Sequence, residues 1–228
     1  MQTRRFLITG SGIGAALVAR ARAAGHAVVF TGRDPEAIAK VAEATGAHGL
    51  QADVTRGDDN AGVVQAAVAR MGGIDVLINN AGYAYRAEMG ALDVAAMRAM
   101  FETNVFGLVD WANRVVPLLK AQASGDIVNV ASTSGMKGAA GATAYAGSKW
   151  AVRGISQCWQ AGCGRTGSAS PASVRRMQTN FGGRVGRNNP NKLYADDIAA
   201  TIFALLDLPH RVLCPEVAVF ATNPWKES

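Results

Sequence analysis

The feature that most limits how this chain can fold is a glycine turn near its start, Thr9-Gly10-Ser11-Gly12-Ile13-Gly14-Ala15. An apolar run, Arg5–Thr9, precedes it, and residues with helical spacing, 13–24, follow it up to Gly25. The turn matches G-x-G-x-x-A. Glycines there let the backbone approach a pyrophosphate, and a helix that starts at once offers unpaired N–H groups and partial positive charge. The position between a strand and a helix separates the motif from an ordinary glycine turn.

The same alternation continues along the chain. Apolar runs at 27–31, 49–52, 76–78, 126–131 and 212–220 read as strands, and Pro35–Thr45, 58–71, 92–121, 144–160 and 196–206 read as helices. Asp34 stands where an N-cap belongs, with Pro35 in the first turn. Near-continuous apolar strands alternating with helices imply a parallel sheet covered on both sides. Right-handed crossovers then predict an α/β fold, a doubly wound Rossmann-type parallel sheet with helices on both faces, as a single domain over 1–228.

Composition narrows the function classes. With 49% hydrophobic and 18% charged residues among 228, the chain can bury a sizeable core. The formal charge of +6 comes from scattered arginines without a basic run, which disfavours nucleic acid and is met more economically by a phosphate-bearing ligand. No apolar run reaches the roughly 18 residues of a membrane span. The three cysteines, Cys158, Cys163 and Cys214, form no C-x-x-C pair. They point to reduced thiols in a cytoplasmic protein that binds no metal. Arg4-Arg5 before an apolar stretch resembles a twin-arginine export signal. A strand, turn and helix encoded in the same residues favour the folded reading.

In a doubly wound sheet, ligands sit at the carboxyl ends of the strands. After the second strand comes Gly32-Arg33, with no carboxylate at the strand end. An acid there would suit a ribose 2′-hydroxyl; the guanidinium of Arg33 suits a 2′-phosphate. Asn79-Asn80-Ala81-Gly82 follows the fourth strand, Ser132 follows the fifth, and Asn104 lies in the helix between them. Tyr145 and Lys149, four apart in a helix, share one face. His26, His48 and His210 show no ligand spacing, and Met89, Met97 and Met100 suit core filling better than a site.

Taken together, Thr9–Gly14, Asp53-Val54, Asn79–Gly82, Asn104, Ser132 and Tyr145/Lys149 resemble the short-chain dehydrogenase/reductase family, from residue 1 to about 160 and again from about 177. The resemblance implies a small-molecule carbonyl or alcohol substrate and NADP(H), with NAD(H) less favoured. It implies that Tyr145 exchanges a proton with the substrate oxygen, and that Lys149 supplies positive charge and holds a ribose. Ser132 would bond the substrate oxygen, and Asn104 would support a water relay. The dinucleotide would meet Gly10, Ser11, Gly12, Ile13, Gly14, Arg33, Asp53, Val54, Asn80, Ala81, Gly82, Tyr145, Lys149 and Thr179. A homodimer or homotetramer is implied as well. Hydride transfer to a carbonyl creates an alkoxide that needs a nearby proton donor, whereas free tyrosine titrates near pH 10.

The chain departs from the family at two places. The family's turn reads T-G-x-x-x-G-x-G, so two residues are missing between Gly10 and Gly12. The stretch 167–176, with small polar residues and Pro171, makes a poor central strand. A compensated frameshift accounts for it, since permitted codons for 167–175, shifted by two nucleotides, can encode Ile-Arg-Val-Thr-Ser-Val-Ser-Pro. The alternative is true divergence, with a loop replacing the strand. These departures keep a second function open: a catalytically impaired nucleotide-binding or scaffold protein.

Overall fold

Parallel pairing organises the molecule, of which the computed structural model describes residues 3–163, 173–179, 193–209 and 212–221. The strands are β1 (Arg5–Thr9), β2 (Ala27–Gly32), β3 (His48–Gln51), β4 (Val76–Asn79), β5 (Asp126–Val130), β6 (Ser173–Thr179) and β7 (Glu216–Val219). They form one sheet in the order β3-β2-β1-β4-β5-β6-β7, parallel throughout. The helices are α1 (Ile13–Ala23), α2 (Pro35–Thr45), α3 (Gly57–Met71), α4 (Val94–Phe101), α5 (Gly107–Gln122), α6 (Thr143–Cys163) and α7 (Ala195–Leu206).

Residue alternation sends successive side chains to opposite layers. Phe6, Ile8, Val28, Phe30, Val76 and Ile78 pack with Leu17 and Val18 of α1 and Ile198, Ile202 and Phe203 of α7. Leu7, Val29, Leu77 and Ile127 face the other way, onto Val63 of α3 and Trp111, Val115 and Leu119 of α5. Asp34 caps α2, its Oδ1 accepting from the amides of Glu36 (2.9 Å) and Ala37 (3.3 Å).

Two expectations are corrected. A strand stands where a loop was one of the readings: β6 pairs with β5 from Ser173↔Asp126 to Met177↔Val130, and with β7 from Arg176↔Glu216 to Thr179↔Val219. Backbone hydrogen bonds from a strand on each side outweigh poor intrinsic propensity. Pro171 lies outside the described residues. The stretch 92–121 is helical without a break from 94 to 122, but not regular throughout. A π-helical turn, Glu102–Phe106, divides α4 from α5, and the Gly107 amide donates to the Glu102 carbonyl, five residues back. Such a turn inserts one residue and re-aims the side chains it carries.

The two arginines at the chain start serve as anchors. Arg5 holds Asp75 through Nε (2.9 Å) and Nη2 (2.5 Å), and its own amide donates to the same carboxylate (2.8 Å). Arg4 pairs with buried Asp126 and donates to the Leu206 carbonyl at the end of α7 (3.3 Å). Beside them, buried His26 stacks on Phe6 (5.0 Å) and Phe203 (6.3 Å), which also stack on each other (5.4 Å), and its Nδ1 accepts from the Arg4 amide (3.2 Å).

Burial, then the Arg4 charge, lowers the His26 pKa, against a smaller opposing pull from Asp207. The folded chain therefore holds this imidazole neutral where the unfolded chain binds a proton. Its contribution is complete above about pH 6.5 and is lost as pH falls towards its lowered folded value. Thermal unfolding should show a midpoint that drops from pH 7.5 to pH 5. His26→Leu should flatten part of that drop; the remainder includes His48, also lowered by burial and by Arg70. An unchanged slope would remove His26 from the account.

Candidate active site

The strand order reverses between β1 and β4, and there a cleft of about 470 Å³ opens at the carboxyl ends of the strands. Its first wall is the glycine turn. Gly10 has φ +81°, and a Cβ there would meet Ala81 Cα at 2.9 Å, so only glycine fits both the conformation and the space. A Cβ at Gly14 would come within 3.1 Å of the Asn80 side chain. Helix α1 starts after Gly12 with no side-chain cap and no acid in its first turn. Its leading N–H groups therefore face the cleft without an internal anionic partner.

Thr9 and Asn80 fasten this wall to the next strand. Thr9 Oγ1 accepts from the amides of Asn80 and Ala81 (both 3.1 Å). Asn80 Nδ2 returns to the carbonyls of Thr9 (3.0 Å) and Gly10 (3.2 Å). The third wall is the end of β2, where Arg33 is exposed at the mouth and Thr31 is buried. Thr31 Oγ1 has no hydrogen-bond partner among the described residues. A buried hydroxyl lining a cleft without a partner is a place for a ligand's polar group. Ser11 Oγ reaches the end of β2 and would lie 2.9 Å from a Cβ at Gly32.

At the far end, α6 brings Tyr145 and Lys149 onto the cleft. Lys149 is 6% exposed, and its Nζ stands 5.8 Å from the Tyr145 ring centroid and donates to the Val130 carbonyl (3.2 Å). Burial pushes its pKa down to about 8. Asn104 rides on the π-helical turn, 1% exposed. Its Nδ2 donates to the Tyr83 carbonyl (2.9 Å) and to Ser148 Oγ (3.1 Å), while its Oδ1 accepts from the Tyr83 amide (3.0 Å). Both amide hydrogens are thus committed within the protein, and any water bound by the side chain must donate to Oδ1. Buried Ser132 accepts from the Ser134 amide (3.1 Å) at the start of the 3₁₀ turn Thr133–Gly135. That leaves its own proton available for a substrate oxygen.

The cleft thus gathers Gly10, Ser11, Gly12, Ile13, Arg33, Val54, Asn80, Ala81, Gly82, Tyr145 and Lys149. Gly14, Asp53, Asn104 and Ser132 are not among its lining residues. Burial pushes the Asp53 carboxyl up, but the Thr55 amide and hydroxyl, with Arg33 and Arg56, outweigh this and hold it below the usual value. Thr179 ends β6, and its side chain lies outside the described residues. Thr31, Tyr83 and Ser148 escape a motif search. Thr31 lies where the strand-end rule points.

A model of the short chain dehydrogenase family matches residues 4–175. An oxidoreductase of Botryotinia fuckeliana is 38% identical over 159 residues, 68% of this chain, which spans only 58% of that relative. An uncharacterized oxidoreductase of Staphylococcus saprophyticus is 33% identical over 232 residues, covering 96% of this chain and 97% of the relative. The closed form of serine dehydrogenase complexed with NADP+ superimposes with a TM-score of 0.85 at 25% identity, covering 94% of this chain and 93% of that one.

Gly10→Ala should destabilise the fold by about 1–3 kcal/mol, since it combines a left-handed alanine with a backbone contact. It should abolish whatever nucleotide binding the wild type shows in a thermal-shift titration. Retained binding would mean the turn is not the phosphate cradle.

Proposed function

The chain belongs to the short-chain dehydrogenase family and is an oxidoreductase of that type; from this premise we propose that it interconverts a ketone or aldehyde with an alcohol or hydroxy acid using NADP(H). The observation that carries the reading is the alignment along one cleft of an uncapped helix start, Arg33 and the Tyr145/Lys149 pair. The NADP+ carried by the serine dehydrogenase relative agrees with Arg33 in place of an acid.

The residues present fit the dinucleotide. Gly10, Ser11, Gly12 and Ile13 would hold its pyrophosphate, Arg33 its 2′-phosphate, Val54 and Asn80–Gly82 its adenosine side, and Lys149 the ribose beside the nicotinamide. Bound there, NADPH supplies the hydride. Tyr145 gives its phenolic proton to the substrate oxygen, or takes it back in the reverse direction. Lys149 stabilises the negative charge on that phenol while its ammonium persists, which the pKa of about 8 allows at neutral pH. Ser132 donates to the same substrate oxygen, and Asp53 and Thr179 would complete the cofactor contacts. Two described cysteines, Cys158 and Cys214, are free thiols, which supports a cytoplasmic setting. Exposed Phe106 and Trp150, next to Asn104 and on α6, support a homodimer or homotetramer through these helices. A single domain over 1–228 completes the reading.

The first test is thermal unfolding with NADPH and with NADH. At a hundred times Kd, binding to the folded state adds about 2.7 kcal/mol of apparent stability. A larger shift with NADPH, equalised by Arg33→Ala, is expected; no shift with either would favour the non-catalytic scaffold reading. On a panel of carbonyl compounds, Tyr145→Phe should retain the NADPH shift and lower kcat at least about 100-fold. Wild-type turnover should fall as pH rises through about 8, where Lys149 loses its proton. A rate flat to pH 10 would separate Lys149 charge from turnover.

A further inference from the structure

Ser148 sits between Tyr145 and Lys149 in sequence but points away from the chemistry assigned to them. It is 0% exposed, its hydroxyl donates to the Tyr145 carbonyl (2.8 Å), and it accepts from Asn104 Nδ2 (3.1 Å). A hydroxyl has one hydrogen. With that hydrogen given to Tyr145, the bond to Asn104 is necessarily an acceptance, and it takes the amide hydrogen that Tyr83 leaves over. Asn104 spends its other hydrogen and its oxygen on the two backbone groups of Tyr83. One side chain therefore joins three separate pieces: the loop after β4, the π-helical turn and the helix bearing Tyr145.

These contacts carry a consequence for the cleft. Gly82 and Tyr83 line it beside Lys149, and a Cβ at Gly82 would lie 2.9 Å from Asn104 Oδ1 and 3.7 Å from Lys149 Nζ. The loop and the Tyr145/Lys149 face are thus packed to within one atom of each other. We infer that Ser148 is a positioning residue: acting through Asn104, it sets the Gly82–Ala84 wall against α6 and so fixes the end of the cleft where the nicotinamide would lie. Without the Ser148 oxygen, a buried Asn104 N–H has no partner, and an unpaired buried donor is costly enough to move the group that carries it. The catalytic consequence rests on the proposed function; the clamp itself does not.

Ser148→Ala is a mild change for a helix, because alanine is the best helix former and fills no new space. Its effect is read first by hydrogen exchange in ligand-free protein. The Tyr83 amide should exchange about tenfold faster or more, while amides of α2 keep their rates. The second arm compares dissociation constants for NADPH and for adenosine 2′,5′-bisphosphate, which has no nicotinamide. Binding of NADPH should weaken about tenfold, with the fragment nearly unaffected. In an Asn104→Ala background, Ser148→Ala should add little to either readout, because the two residues act in series. Unchanged exchange at Tyr83, equal weakening of both ligands, or full additivity with Asn104→Ala would each overturn the inference. If wild-type protein binds neither nucleotide, the proposed function fails, and the exchange arm alone still decides the clamp.

Discussion

The hydrogen bonds between Thr9 and Asn80 are the contacts on which the rest of the site depends. β1 and β4 are neighbours in the sheet but lie far apart in the chain, and strand order reverses between them. Beyond the last ladder pair the two backbones would splay, leaving N–H and C=O groups without partners. The Thr9 hydroxyl takes the two amides that leave β4, and the Asn80 side chain takes the two carbonyls that leave β1. The exit of each strand thereby satisfies the other. Gly10 can press against Ala81 because these bonds hold it there, and the start of α1 is aimed into the cleft as a result.

Behind the cleft, buried polar side chains tie the sheet to the helix that bears Tyr145. Asn79 on β4 donates to Asn129 on β5 (3.0 Å), and Asn129 donates to Ser156 on α6 (2.9 Å). Ser156 closes the chain on the Val152 carbonyl (2.7 Å). In a dry interior each of these bonds is strong, and each is costly to leave unmade. A shift of α6 by one position would strand the Asn129–Ser156 bond, so that contact selects one placement of Tyr145 and Lys149. Apolar packing of Val152 with Val105 and Leu108 would tolerate small slides; the amides would not.

Much of the architecture was legible in the residues. Apolar runs marked six of the seven strands to within a few residues, and Asp34 and Pro35 marked the start of α2 as capping rules require. The glycine turn, Arg33 and the Tyr145/Lys149 pair were legible as residues that line one cleft, because a strand-to-helix glycine turn and one-face helical spacing are local properties. β6 was illegible: its stability comes from β5 and β7 on either side, which no local propensity reports. The π-helical turn was hidden as well, because one extra residue in a helix leaves the 3.6-residue pattern on both sides almost intact. Its effect falls on Asn104, whose partner Tyr83 lies 21 residues away.

The amino-acid sequence by itself determined the order of strands and helices, the need for glycine at Gly10, the charge offered by Arg33 and the common face of Tyr145 and Lys149. These follow from steric limits and spacing within a few residues of one another. Only the tertiary structure decided that Asn104 grips the backbone of Tyr83, that Ser148 is the third point of that grip, and that Lys149 is buried deeply enough to lower its pKa. Each of these depends on desolvation and on contacts between distant segments. The physical reason is that a buried hydrogen bond takes its strength from the surroundings that exclude water, and those exist only once the chain has closed around it.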